Sequence, residues 1–184
     1  AQYAAARLSD DERRRAEQRH GRVMAALGDP EFLVRLFGPD EVEVRRVLVD
    51  ELENLVVATE RAIARGDGPV VSATACAAWR AYQVTGPARS AAELLERAAA
   101  VPGSEPRVAT AAGMAWIVAG ENARAEPLLA TAEGADPWAV LQRLRVTRNR
   151  NPMDPGDADE IVLAHALRTG DRPLECSALL SIAI

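Results

Sequence analysis

Two stretches of the sequence share one pattern at a constant distance. The first, "GPARSAAELLERAAAVPG", covers residues 86–103, and the second, "GENARAEPLLATAEGADP", covers residues 120–137. Glycine, alanine and leucine recur in them at an offset of 120 − 86 = 34 residues. The paired positions are Gly86 with Gly120, Ala91 with Ala125, Leu94 with Leu128, Leu95 with Leu129, and Ala98 with Ala132. A fixed period of this size indicates repeated supersecondary units.

The composition and the positions of the prolines both favour helices. Only 4% of the 184 residues are aromatic and alanine is abundant, which favours close helix packing, and no strand-like alternation of useful length appears. Proline at the start of a helix loses no intrahelical hydrogen bond, and four prolines follow a polar cap candidate. These pairs are Asp67 with Pro69, Ser104 with Pro106, Asp136 with Pro137, and Asp171 with Pro173. We therefore predict an all-α fold of helical hairpins.

Further helices are predicted on either side of these hairpins. Ser9 and Glu12 form a capping-box pattern before a helix of roughly residues 10–27, and one long helix is expected from about Asp40 to Arg65. Asp157 and Glu160 repeat the capping-box pattern later in the chain. The Pro-rich stretch 148–157 is expected to be irregular, either as an insertion or as a binding loop.

The 34-residue period, with two short amphipathic helices per unit, resembles the tetratricopeptide repeat. Tyr82 and Trp116 occupy the aromatic position of the first helix, and Ala91 and Ala125 occupy the small position of the second. The resemblance implies a right-handed α-solenoid. Residues 1–66 would be an N-terminal helical segment leading into the array. Residues 67–184 would be the repeats, divided into 67–103, 104–135, 136–170 and a truncated unit at 171–184.

A second resemblance covers roughly residues 3–135. "RRRAEQRHGRVMAAL" (13–27) and "GPDEVEVRRVLVDELENLVVATERAIARGD" (38–67) are similar to the segment that follows the nucleotide-binding and winged-helix domains of bacterial signal-transduction ATPases. These are large regulators of the AfsR-like and LuxR-like kind. The resemblance implies a sensor or scaffold region of such a transcriptional regulator, and the chain begins without Met, so we expect it to be part of a longer protein.

Charge and composition exclude several classes of function. The formal net charge of −5 argues against a nucleic-acid surface, which is usually basic. No apolar run is long enough to span a membrane and no signal peptide opens the chain, so a cytoplasmic protein without membrane contact is expected. Cys76 and Cys176 lie in apolar helical runs and are predicted to be buried small hydrophobes. The apolar run "ALLSIAI" (178–184) predicts self-association as a homodimer.

No residue pattern indicates an enzyme. His20 and His165 have no nucleophile or acid at a catalytic spacing, so we expect no catalytic residue, metal ligand or cofactor. We expect Trp79, Trp116 and Trp138 to pack in the core in preference to contacting a ligand.

The candidate site is instead a groove. In tetratricopeptide geometry the first helices line the concave side. This implies that the groove is lined by Arg80 and Gln83 of one unit and by Arg107, Thr110 and Met114 of the next, with Arg148 nearby. Guanidinium groups suit the carboxylates of a peptide end or an acidic side chain. The alternative is that these arginines pair with acids of the same array and bind nothing.

Two functions remain open on the sequence. The first is a non-enzymatic interaction scaffold that holds a protein or peptide segment, or a domain of its own parent protein. Short hairpins bury their apolar faces by stacking, and the same stacking makes the groove. The alternative is a small-molecule-sensing domain, which predicts a closed, aromatic-edged pocket rather than an open groove.

Overall fold

The computed structural model describes residues 9–150 and 158–182, apart from the side chains of residues 148–150 and 158. All regular structure in these residues is helical, and they contain no strand. The predicted all-α class is therefore confirmed. The stacking of tetratricopeptide-like hairpins into a right-handed solenoid remains a prediction, as does the division at residues 66 and 67.

The described residues form two compact units. The first unit consists of the described residues up to Gly86 together with Ala100–Glu105. Its α-helices are α1 (Asp10–Ala25), α2 (Pro30–Leu33), α3 (Glu41–Asp50), α4 (Leu52–Arg65) and α5 (Gly68–Thr85). Two 3-10 helices, Ala26–Gly28 and Val34–Phe37, flank α2.

The second unit consists of Pro87–Ala99 and the described residues from Pro106 onward. Its α-helices are α6 (Ala88–Ala99), α7 (Pro106–Val118), α8 (Asn122–Ala132), α9 (Pro137–Arg150), α10 (Ala158–Thr169) and α11 (Arg172–Ile182). Consecutive helices pack on one another from α6 to α9, and α11 packs on α10.

The predicted capping box begins α1. The Ser9 backbone N–H donates to the Glu12 carboxylate (2.9 Å), and the Glu12 N–H donates to Ser9 Oγ (3.3 Å). Hydrogen bonds from the Ser9 side chain and backbone lower the pKa of the Glu12 carboxyl. This support for the helix is therefore present above the ordinary pKa of glutamate and is lost as the pH falls through the lowered value.

The predicted long helix over residues 40–65 is instead two helices, α3 and α4, which meet at Glu51. Glu51 has φ −95° and ψ 5°, although its N–H still donates to the Val47 carbonyl (3.0 Å). α3 packs on α5 and on Val34–Phe37, whereas α4 packs on α1 and α5. The two helices share α5 as a neighbour, and the bend lets α3 also contact Val34–Phe37 while α4 contacts α1.

The core of the first unit lies between α3, α4 and α5. Its buried residues are Leu36, Val44, Leu48, Leu55, Ala77, Ala78 and Ala81. The alanines of α5 allow its neighbours to approach closely. The buried Thr59 hydroxyl donates to Thr74 Oγ1 (2.9 Å), which donates to the Val70 carbonyl (2.8 Å), so polar groups at the α4–α5 contact are satisfied.

The predicted helix starts are confirmed. The four prolines lie at the first or second position of α5, α7, α9 and α11. Asp136 Oδ1 accepts from the Trp138 N–H (3.0 Å), and Asp171 Oδ1 accepts from the Leu174 N–H (3.1 Å). Each side chain satisfies a backbone N–H that has no partner within the helix.

Three of the five pairs at the 34-residue offset are buried alike, whereas Leu94 is buried and Leu128 is half-buried. The residues of these three pairs, each at most 1% exposed, are Ala91, Ala125, Leu95, Leu129, Ala98 and Ala132. Val162 and Ala166, which lie a further 34 residues beyond Leu128 and Ala132, are also buried. They belong to a separate core of α9, α10 and α11.

Several expectations need correction. Cys76 is buried as predicted, but Cys176 is exposed, because it lies on the outer face of α11. α9 continues to Arg150, so the helix extends into the stretch expected to be irregular. Residues 151–157, including the predicted cap Asp157, lie outside the described residues.

We predict that Gly28→Ala destabilises the first unit. A Cβ on Gly28 would lie 1.8 Å from the backbone oxygen of Ala73 in α5. Because the clash is with backbone, one element must move, and we expect the free energy of unfolding to fall by about 3 kcal/mol. Chemical denaturation followed by circular dichroism measures the change.

Gly134→Ala is the matched control, since a Cβ there meets nothing within 4 Å. We expect it to change the free energy of unfolding by less than about 0.5 kcal/mol. Equal stability of the two variants would contradict the close approach of Gly28 to α5.

Candidate functional site

Arg80 is half-buried on α5 and has only uncharged partners. Its Nη1 donates to the side-chain oxygen of Gln83 (3.3 Å), and its Cζ lies 6.0 Å from the ring centroid of Phe37. The ring face attracts the cation weakly, and the amide oxygen accepts one hydrogen bond. Neither partner neutralises the positive charge.

The surroundings of Arg80 disfavour its charge. Burial is the main cause that lowers the pKa of the guanidinium; the Cys76 thiol opposes this effect, and the positive charge of Arg45 adds to it. Arg45 itself pairs with Glu41 (2.7 Å). In the part of the chain that the structure describes, no acidic side chain pairs with Arg80. The fold therefore holds an uncompensated cation at the edge of the core.

Exposed apolar side chains accompany this cation. Phe37 is 55% exposed and Val84, one helical turn after Arg80, is 54% exposed. Gln83 is also exposed. We call the group formed by Phe37, Arg45, Arg80, Gln83 and Val84 the Arg80 surface. It combines an unpaired guanidinium, an amide and apolar contact area on one unit.

Packing in the core determines where this surface lies. Ala77 and Ala81 of α5 are buried against Leu48 of α3 and its neighbours, so Arg80 falls at the margin of the buried face. Leu36 is buried in the same core, which places Phe37, the next residue, at the surface beside Arg80.

Arginines of the second unit show the opposite arrangement. Arg124 of α8 pairs with Glu96 of α6 (2.6 Å), and its Cζ lies 3.7 Å from the ring centroid of Trp116. Glu96 also accepts from the indole N–H of Trp116 (3.2 Å). Arg89 pairs with Glu121. These charges are neutralised within the unit, and they link three helices.

The other predicted groove residues lie in the second unit. Arg107 is half-buried and has an interaction partner, and Met114 is half-buried on the same helix, α7. Thr110 is 3% exposed, and its hydroxyl donates to the Pro106 carbonyl (3.4 Å). Arg148 belongs to α9, and its side chain lies outside the described residues.

The structure brings two of the predicted residues together, since Arg80 and Gln83 share a hydrogen bond. Arg107, Thr110 and Met114 share α7. One groove that combines both sets remains a prediction. The structure adds Phe37 and Arg45 to the candidate site, which the sequence analysis did not single out. The available signal in the sequence was an aromatic residue, Phe37, in a short apolar turn before a helix.

The tryptophans lie in or against the hydrophobic cores, and both histidines are half-buried. Trp79 is 3% exposed, Trp116 is 0% exposed and Trp138 packs partly buried against the core of α9 to α11. Nδ1 of His20 is buried without a partner, and His165 is half-buried. The tryptophans therefore contribute packing, as expected.

Within residues 9–150 and 158–182, no group of three or more histidine, cysteine or acidic side chains is placed to hold a metal ion. None of the helices described there is both long and apolar enough to cross a bilayer. No family model matches the sequence, and no curated protein or solved structure is significantly similar to it.

We predict that removing the Arg80 charge stabilises the isolated chain. Arg80→Met keeps an unbranched side chain against Phe37 and removes a cation that has no counter-charge. We expect the free energy of unfolding to rise by about 1 kcal/mol, because burial no longer opposes a charge. Chemical denaturation of the purified chain measures the difference.

Arg124→Met is the control for this substitution. It removes an ion pair and a stacked cation, so we expect a fall of about 1 kcal/mol in the free energy of unfolding. If both variants lose stability equally, Arg80 is a structural residue of the same kind as Arg124.

Proposed function

We propose that this chain is a non-enzymatic interaction or sensor scaffold that binds a protein or peptide segment through the Arg80 surface. The observation that carries the proposal is the half-buried guanidinium of Arg80, which has no acidic partner among the described residues and lies beside exposed Phe37. A partly desolvated charge disfavours folding unless an opposite charge compensates it. A carboxylate of a bound partner would supply that compensation.

The wider setting of the proposal comes from the resemblances. The proposed fold is a right-handed α-solenoid of tetratricopeptide-like hairpins, which accounts for the 34-residue period and the helical structure. The proposed parent protein is a cytoplasmic bacterial signal-transduction ATPase. Partner binding would then bias the parent regulator between two states. The partner is a protein segment or a domain of the parent, rather than a nucleic acid, since the net charge is −5.

Self-association is a separate part of this proposal. Leu179, Leu180 and Ile182 of α11 are 48%, 63% and 46% exposed. Apolar side chains clustered at a surface favour association with another apolar surface. A homodimer formed through α11 is therefore expected.

The proposal predicts that capture of a partner depends on Arg80. The immobilised chain is incubated with lysate from its own source, and retained proteins are quantified by mass spectrometry. Replacing Arg80 by Gln should reduce recovery of the specific partner by at least about tenfold, because a charge-assisted pair is lost.

Arg46→Gln is the matched control, since Arg46 is 68% exposed and already pairs with Glu43 (2.9 Å). It should retain the same proteins as the unaltered chain. An additional variant, Arg107→Gln, tests whether α7 contributes to the same groove. Unchanged capture by Arg80→Gln would rule out the Arg80 surface.

The small-molecule alternative makes a different prediction. Trp79 and Trp116 are buried, so an aromatic-edged pocket would have to use other side chains. A metabolite that raises the melting temperature, together with no protein retained by any variant, would favour the alternative over the scaffold.

A further inference from the structure

Among the described residues of the first unit, two half-buried arginines, Arg65 and Arg80, have no acidic partner, and they differ in their access to a ligand. Both terminal nitrogens of Arg65 are fully buried without a partner. Gly21 of α1 lies beside one of them, because a Cβ on Gly21 would be 3.5 Å from Arg65 Nη2. A ligand therefore has no access to Arg65. Arg80, by contrast, lies among exposed side chains.

The donors at the Arg80 surface suit a carboxylate. Arg80 uses one nitrogen for Gln83, which leaves its other N–H groups for an acceptor with two oxygens. The Gln83 side chain accepts from Arg80 through its oxygen, so its amide nitrogen still has N–H groups to donate. A carboxylate placed here would pair with Arg80 and would also be attracted by Arg45, whose charge now disfavours that of Arg80.

Apolar contacts come from two different elements around this charge. Phe37 follows the 3-10 helix residue Leu36, and Val84 lies on α5. Both are more than half exposed. A partner that covers both side chains while it pairs with Arg80 must carry apolar residues next to its carboxylate.

We propose that the partner presents an internal Asp or Glu side chain, set between apolar residues of a protein segment, to Arg80, with the apolar residues on Phe37 and Val84. This inference rests on the proposed function, and it names the chemistry of the partner. A chain-terminal carboxylate fits less well, because the chain would end at the charge and could extend over the apolar contacts in one direction only.

The test uses random peptides displayed with both ends joined to a carrier, selected on the full chain. Selection on Arg80→Gln runs in parallel as the counter-screen. We expect the peptides enriched on the unaltered chain alone to carry Asp or Glu between apolar residues. Selection on Arg46→Gln should recover the same peptides, since that substitution leaves the Arg80 surface intact.

A double-mutant cycle with one enriched peptide, synthesised with both ends blocked, then measures the contact. Changing its acid to the amide should weaken binding to the unaltered chain at least about tenfold. The same change should have little effect on binding to Arg80→Gln. Phe37→Ala should weaken both the acid and the amide peptide, because it removes apolar contact and leaves the charge.

Three results would overturn the inference. These are enriched peptides without an acid, an acid-to-amide effect that persists in Arg80→Gln, and no enrichment over the counter-screen. If lysate capture still depends on Arg80 in any of these cases, the scaffold function stands and only the stated partner chemistry is wrong. If lysate capture is also independent of Arg80, both proposals fail.

Discussion

Close backbone packing of α5 against its neighbours is the constraint on which the first unit depends. A Cβ on Gly28 would enter the backbone of Ala73, and one on Gly68 would lie 2.5 Å from the carbonyl carbon of Gly103. Alanines complete the buried face of the helix. Such close contacts exclude a charged side chain from these positions, so the charge of Arg80 lies at the margin of the buried face.

The location of Arg80 follows from this constraint, but its lack of an acid does not. Arg124 shows that the same chain can neutralise an arginine fully, with Glu96 as its acid and Trp116 as its stacking surface. An uncompensated cation lowers the stability of the free protein. Sites that bind partners commonly retain such a cost, because the groups are compensated only in the complex. This contrast is the physical basis for proposing that a partner binds at α5.

The two kinds of arginine are also expected to differ in how far substitution lowers the stability of the protein. The Glu96, Trp116 and Arg124 network joins α6, α7 and α8, so its members depend on each other. The Arg80 charge contacts only the Phe37 ring and the Gln83 amide among the described residues, and no ion pair links it to another helix there. Under the proposed function, binding and stability would be carried by separate groups of residues.

The sequence by itself determined the helical class, most helix starts and the residues that face the core. Ser9 with Glu12, and the Asp and Pro residues that begin later helices, act within a few positions of the chain. Gly66, with φ 68°, likewise ends α4 through local hydrogen bonds. Arg80 and Gln83, one helical turn apart, were also within reach of sequence reasoning.

Only the tertiary structure decided the bend at Glu51, the exposure of Cys176 and the contact between Phe37 and Arg80. Each of these depends on which helix packs where, and the bend lets α3 contact Val34–Phe37 while α4 contacts α1. Local patterns predict which residues form a helix face, but they do not show what covers it. Whether an arginine has a counter-charge is settled by residues distant in the sequence, which explains why the unpaired state of Arg80 emerged only in three dimensions.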